Sequence, residues 1–169
     1  MSKPLVSSRR ALIAALSCFI SATPLLAADT REPAPRFHAK TLEGETFNND
    51  SLKGKVTLIQ FWATWCKYCQ SDEEAVNTIT KEFADKGLVV LAVNAGESKK
   101  KVMKYLQDSP RACKIVLMGD TNLAAMFTAT SYPLYVLIDR DGNVAGTQPG
   151  AAGENALYRL LWKAGLEAE

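Results

Sequence analysis

The chain is short of histidine, of cysteine, of long apolar runs and of any strong excess of charge. Its one histidine, His38, leaves little material for a site built on several imidazoles. The longest apolar core, Ala11 to Ile20, is ten residues, where a bilayer-spanning helix needs about 20. Twenty Lys and Arg against 18 Asp and Glu give a formal +2. That excess lies wholly at the N-terminus, in Lys3, Arg9 and Arg10. The remaining 17 basic and 18 acidic residues bring the rest of the chain near −1. No electrostatic footprint of a nucleic-acid binder is left. Internal repeats and low-complexity tracts are absent too.

The first 28 residues read as a secretory signal peptide. Lys3, Arg9 and Arg10 form its basic region, Ala11 to Ile20 its apolar core, and Ala27 and Ala28 offer cleavage sites. Ser8-Arg9-Arg10 followed by Ala11-Leu12-Ile13 partly matches a twin-arginine signal, so both export routes fit. Cys18 is a poor lipid-anchor site: Ala15-Leu16-Ser17 fits that signal badly and the apolar run continues past it. The expected product is a soluble periplasmic protein with no integral membrane segment, folded as one domain over residues 29–169. That length carries a real core. It keeps Cys66, Cys69 and Cys113. An odd count is no structural disulfide framework; it reads as one reactive pair and one leftover.

The polar stretch 29–36, with Pro33 and Pro35, reads as a lead-in. Phe37 to Leu42 and Glu45 to Phe47, separated by Glu43-Gly44, signal a hairpin. After the turn at Gly54, Val56 to Phe61 is an apolar run and hence a buried strand. Ala75, Val76, Ile79 and Phe83 recur at helical spacing, and Gly87 marks the stop. Leu88 to Val93 predicts a strand buried on both faces. Val102, Tyr105 and Leu106 line one face of a short helix whose other face carries Lys99, Lys100, Lys101 and Lys104, a solvated face. Lys114 to Met118 predicts a strand, and Leu123, Met126 and Phe127 a short helix. Tyr135 to Ile138, the turn Asp139 to Gly142 and Asn143 to Gly146 predict a hairpin. Leu157, Leu160, Leu161 and Ala164 mark the last helix. Strands alternating with helices, then a hairpin and a helix, predict an α/β sandwich with a mixed sheet.

Trp65-Cys66-Lys67-Tyr68-Cys69 stands where the first buried strand hands over to a helix. Unpaired N–H groups and the positive dipole end at a helix N-terminus stabilise a thiolate. A thiolate attacks disulfides, and a second thiol three residues on resolves the mixed disulfide. Other readings of the pair are a structural disulfide, half of a zinc site completed by Cys113 and His38, or a Cu(I) site. Gln70 after Cys69 breaks the haem-attachment motif.

Phe61-Trp62-Ala63-Thr64-Trp65-Cys66, with Tyr132-Pro133 ahead of Leu137-Ile138-Asp139-Arg140-Asp141-Gly142, resembles the thioredoxin superfamily. Within it, the chain is most similar to the exported TlpA/ResA-like thiol–disulfide oxidoreductases. The resemblance runs through most of residues 29–169. It implies a thioredoxin-like fold: a central mixed sheet flanked by helices, with an N-terminal hairpin from Phe37 to Leu52 and an inserted element, helix 99–107 with strand 114–118. It further implies Cys66 as exposed nucleophile, Cys69 as buried resolving thiol and a cis Pro133 facing the pair. There a substrate segment would be held like an added strand. The implied partners are protein thiols and disulfides and a membrane electron donor. No cofactor or metal is expected, and the implied direction is reduction. An oxidant or isomerase, or a copper-binding or redox-sensing module without turnover, are the alternatives.

The chain also departs from the pattern. Thioredoxin's buried acid in the strand before the active site is matched here by Gln60. Asp72 and Glu73, three and four residues after Cys69 on its helical face, offer a substitute. Asp72 is the expected proton acceptor for Cys69, with Glu73 second. Tyr132 replaces the branch's usual Thr before the proline. Lys67 places a cation beside Cys66 and favours the oxidising side. Trp65, Lys67, Tyr68 and Tyr132 are expected to rim the site, and Phe61 and Trp62 to pack inside. Cys113 is expected as a small buried hydrophobe. A peroxidase reading is disfavoured, because the Thr that peroxiredoxins carry three residues before the Cys stands two before it here, as Thr64.

Overall fold

All seven residues of one strand, Val56–Trp62, are buried, and the rest of the molecule is arranged around it. The computed structural model describes residues 31–168. The expected signal peptide, with Cys18, lies outside the described residues. In chain order the strands are β1 His38–Thr41, β2 Thr46–Asn48, β3 Val56–Trp62, β4 Leu88–Asn94, β5 Lys114–Thr121, β6 Leu134–Ile138 and β7 Val144–Pro149. The helices are α1 Lys67–Ser71, α2 Glu73–Glu82, α3 Lys99–Asp108, α4 Leu123–Met126 and α5 Gly153–Trp162.

They form one mixed sheet in the order β2-β1-β5-β4-β3-β6-β7. β3, β4 and β5 run parallel, joined by helical crossovers, while β6 returns antiparallel to β3 and β7 to β6. The N-terminal hairpin extends the sheet beyond β5. The fold is thioredoxin-like α/β, and α3 with β5 forms the element expected as an insertion.

Alternation along the strands divides the core between the two faces. Leu58, Trp62, Val90, Ala92 and Leu137 pack with Val76, Ile79 and Phe83 of the α2 region, Val102 of α3 and Leu157 and Leu161 of α5. Ile59, Phe61, Leu91, Val93 and Val136 face the other way, toward Phe37, Leu52 and Leu123. Phe61 and Trp62 thus pack inside, as expected.

Four elements depart from the sequence reading. β7, expected to stop at Gly146, runs on to Pro149, because β6 pairs with it as far back as Leu134. The helix after Cys69 is broken into α1 and α2 at Asp72, whose carboxylate is drawn across to α5. β5 runs on to Thr121, because pairing with β1 extends it and the Thr121 hydroxyl donates to the His38 carbonyl at 2.6 Å. Met126, taken as a core marker, is 42% exposed, since α4 is a single turn anchored by Leu123.

Candidate active site

β3 ends at Trp62, and Ala63 to Trp65 carry the chain to Cys66, the N-cap of α1. Cys66 and Cys69 form a disulfide. The Cys66 sulfur also accepts the Cys69 N–H at 3.1 Å, so a first-turn amide of the helix is spent on it. Cys69 is 1% exposed, as expected of a resolving thiol. Cys66, expected to be exposed, is only 5% exposed. Its sulfur is turned toward Cys69 in the disulfide, and what stands open beside it is Trp65, at 61%, and Tyr68, at 70%.

The rim assembles from two distant segments. The Tyr132–Pro133 bond is cis. Tyr132 meets Trp65 edge-on with ring centroids 6.2 Å apart, which brings the proline loop to the residue before Cys66. Pro133 is buried and its carbonyl accepts the Gly150 N–H at 2.8 Å. Lys67 is exposed. The structure therefore brings Tyr132, and with it the cis bond to Pro133, to Trp65 beside Cys66, with Lys67 and Tyr68 on the open surface of α1.

The loop before Cys66 is held by a residue the sequence reading did not single out. Glu97 accepts the Thr64 N–H and the Thr64 hydroxyl, both at 2.7 Å, and the Asn94 side-chain amide at 2.9 Å. Lys101 pairs with it at 2.6 Å. Its side chain is 6% exposed. Burial alone would raise the carboxyl; the hydrogen bonds from Lys101, Thr64 and Asn94 together outweigh it and hold Glu97 down to about 2. The Thr64 carbonyl accepts from Gln70 at 2.7 Å. The one available signal was Asn94, a polar residue closing an apolar strand beside the end of β3.

Asp72 is buried, 2% exposed, and sits close enough behind Cys69 that its N–H donates to the Cys69 carbonyl at 3.3 Å. Three donors converge on its carboxylate: the Tyr135 hydroxyl at 2.7 Å and the N–H groups of Ala152 and Gly153, at the start of α5, at 2.8 and 3.0 Å. Burial, then the hydrogen bond to Asp72, pushes the Tyr135 hydroxyl far up, so it remains a donor. Gln60, where thioredoxin has its acid, donates to the Tyr135 oxygen at 3.0 Å and accepts from Arg111 at 3.0 Å. Glu73 points elsewhere, accepting from Tyr105 at 2.5 Å and facing Arg111 at 4.0 Å. Arg111 was likewise missed: a lone Arg between Pro110 and Ala112 carries no periodic signal.

Cys113 is a free buried thiol, raised by burial. His38 is exposed. Among the described residues, no three of His, Cys, Asp and Glu gather where a metal ion could sit, and no helix is long and apolar enough to cross a membrane.

Comparison with known proteins adds to this geometry. The AhpC/TSA family matches residues 30–147. The chain is 35% identical over 132 residues to thioredoxin-like protein YneN of Bacillus subtilis (strain 168), covering 77% of each. It is 29% identical over 130 residues to thiol-disulfide oxidoreductase ResA of Bacillus cereus, covering 77% of this chain and 75% of that one. Among solved structures it superposes on a thiol:disulfide interchange protein of the DsbE type from Chlorobium tepidum with a TM-score of 0.71. That match has 26% identity and covers 80% of this chain and 97% of the other.

Proposed function

Because the chain belongs to the AhpC/TSA family and is a thiol–disulfide oxidoreductase of thioredoxin-like fold, we propose that it reduces protein disulfides in the periplasm through Cys66 and Cys69. The single observation that carries this is the Cys66–Cys69 disulfide at the start of α1, rimmed by Trp65 and the Tyr132–Pro133 loop.

In the reduced protein the Cys66 thiolate attacks one sulfur of a substrate disulfide. A mixed disulfide forms and one substrate thiolate leaves. Cys69 gives its proton to Asp72, and its thiolate attacks the Cys66 sulfur. The second substrate thiolate departs. The substrate gains two electrons, and Cys66–Cys69 returns to the disulfide form seen here. A membrane electron donor then re-reduces the pair. Trp65, Tyr68 and Tyr132 offer aromatic surface to the substrate segment beside Pro133, and Lys67 places a cation near the nucleophile.

The family match invites a peroxidase reading. Thr64, the one nearby hydroxyl of that pattern, is committed to Glu97, which favours disulfide exchange.

The deciding experiment equilibrates the purified protein with glutathione, follows insulin reduction, and measures Cu(I) affinity. Exchange with a definite potential and catalysed insulin reduction are expected. Tight Cu(I) binding with neither reaction would replace the enzyme by a copper-binding module.

A further inference from the structure

We propose that Arg111 is a positioning residue for the redox site, fixing the direction of a buried hydrogen-bond chain that ends on Asp72. The inference rests on the reading of Asp72 as proton acceptor for Cys69.

The Arg111 side chain is completely buried. It lies 4.3 Å from the centre of the Trp62 ring, in the residue before the active-site loop begins. Its Nη2 donates to Gln60, while Nε and Nη1 find no hydrogen-bond acceptor among the described residues. Its other partners are the Trp62 ring and the Glu73 carboxylate, 4.0 Å from Nε, and a buried cation with one direct hydrogen bond is costly for a fold to keep. What it supplies is orientation.

Arginine can only donate, so the oxygen of the Gln60 amide must face it, and the amide N–H must face Tyr135. The Tyr135 oxygen then accepts from Gln60, and its own hydrogen has one acceptor, Asp72 Oδ2. Each link runs the same way: Arg111 to Gln60 to Tyr135 to Asp72. Without Arg111 the Gln60 amide is free to turn and offer its oxygen to the Tyr135 hydroxyl. Asp72 would then keep only the Ala152 and Gly153 amides. A carboxylate that loses a donor holds its proton more tightly.

The titratable and charged groups around the chain are Glu73 on α2, Tyr105 on α3, Cys113 ahead of β5 and Tyr135 on β6; Glu154, in the first turn of α5, is exposed. Glu73 and Tyr105 are bonded to each other. Among the described residues, Asp72 is the one carboxylate joined to the chain by hydrogen bonds.

The test loads Cys66 of the reduced protein with thionitrobenzoate and follows its release as Cys69 closes the disulfide, across about pH 4 to 8. Gln60→Met, which removes the amide that could turn and leaves Tyr135 its one acceptor, is expected to keep the parent's acid limb, whereas Arg111→Met is expected to move that limb to higher pH. Release on that limb slows about tenfold while the alkaline plateau stays in place. The double variant should return to the parent limb, because the amide whose turning draws Tyr135 away is gone. If Arg111→Met keeps the parent profile while Asp72→Asn loses the limb, Asp72 stands as the acceptor and the role given to Arg111 is overturned. If Asp72→Asn keeps the limb, the acceptor reading itself falls. Should Arg111→Met fail to fold, Arg111→Gln, whose amide can donate or accept and so fixes no direction at Gln60, decides by the same shift.

Discussion

Glu97, three residues past the end of β4, grips both the N–H and the hydroxyl of Thr64, two residues before Cys66. The parallel pairing of β3 and β4 makes this reach possible, because it brings Trp62 opposite Asn94 and both loops to one edge of the sheet. Asn94 in turn orients Glu97 through its side-chain amide and accepts the Glu97 N–H at 3.1 Å. The nucleophile's approach loop is therefore tied to the neighbouring strand.

Glu97 sets an acid limit to stability. Its carboxyl is held down to about 2 from an ordinary 4.5. A lowered folded-state value contributes stability that is present above the unfolded value and is lost as pH falls from about 4.5 through 2. Glu97→Ala should cost about 3 kcal/mol at neutral pH. The gap to the parent should narrow steadily on acidification through that window. Urea denaturation of both proteins at several pH values checks it; a gap independent of pH would show the hydrogen bonds to be of little consequence.

The two cysteines should separate cleanly by substitution. Cys66→Ser removes the attacking sulfur and should abolish exchange. Cys69→Ser leaves the first step intact and should accumulate mixed disulfides through Cys66, seen as reducible adducts on non-reducing gels. Adducts through Cys69 in the Cys66→Ser variant would reverse the assignment.

Cys113 is 7% exposed, and burial raises its thiol, partly offset by the charge of Arg111. Only thiolate alkylates. The oxidised native protein, prepared as residues 29–169, should take up no iodoacetamide at mildly alkaline pH and one equivalent after unfolding, read by mass spectrometry. Rapid native labelling would mean that the strand start opens.

Trp65 packs against Tyr132 yet is mostly exposed. Trp65→Ala should change unfolding free energy by less than about 1 kcal/mol. It should also raise KM for a protein disulfide about tenfold, the loss of an aromatic anchor, while exchange with glutathione is little altered. Equal losses with both substrates would assign Trp65 to the thiols rather than to recognition.

Much of the fold was legible because each strand and helix announces itself locally. β3 is a mostly apolar run interrupted by Thr57 and Gln60, β4 is apolar without a break from Leu88 to Val93, and Gly87 ends the α2 segment at φ +86°, a conformation open to glycine. The cysteine pair was legible for the same reason: its chemistry depends on spacing within five residues. Asp72 was found by its offset from Cys69, but its partners were not, since Tyr135 and Ala152 lie 63 and 80 residues away. The expected openness of Cys66 failed because accessibility depends on which neighbours close over a sulfur.

The order of residues alone determined the periodic elements and the spacing of the cysteine pair, because each rests on local propensity or short-range spacing; the cis bond before Pro133 was expected only through the resemblance. Tertiary structure decided the rest: Glu97 on Thr64, Arg111 beneath Trp62, and the one-way bonds reaching Asp72. These are single polar residues without repeat or period. Their partners are chosen only when parallel strands and helix starts converge at one end of the sheet, where a buried charge must find whatever donors the fold brings within reach.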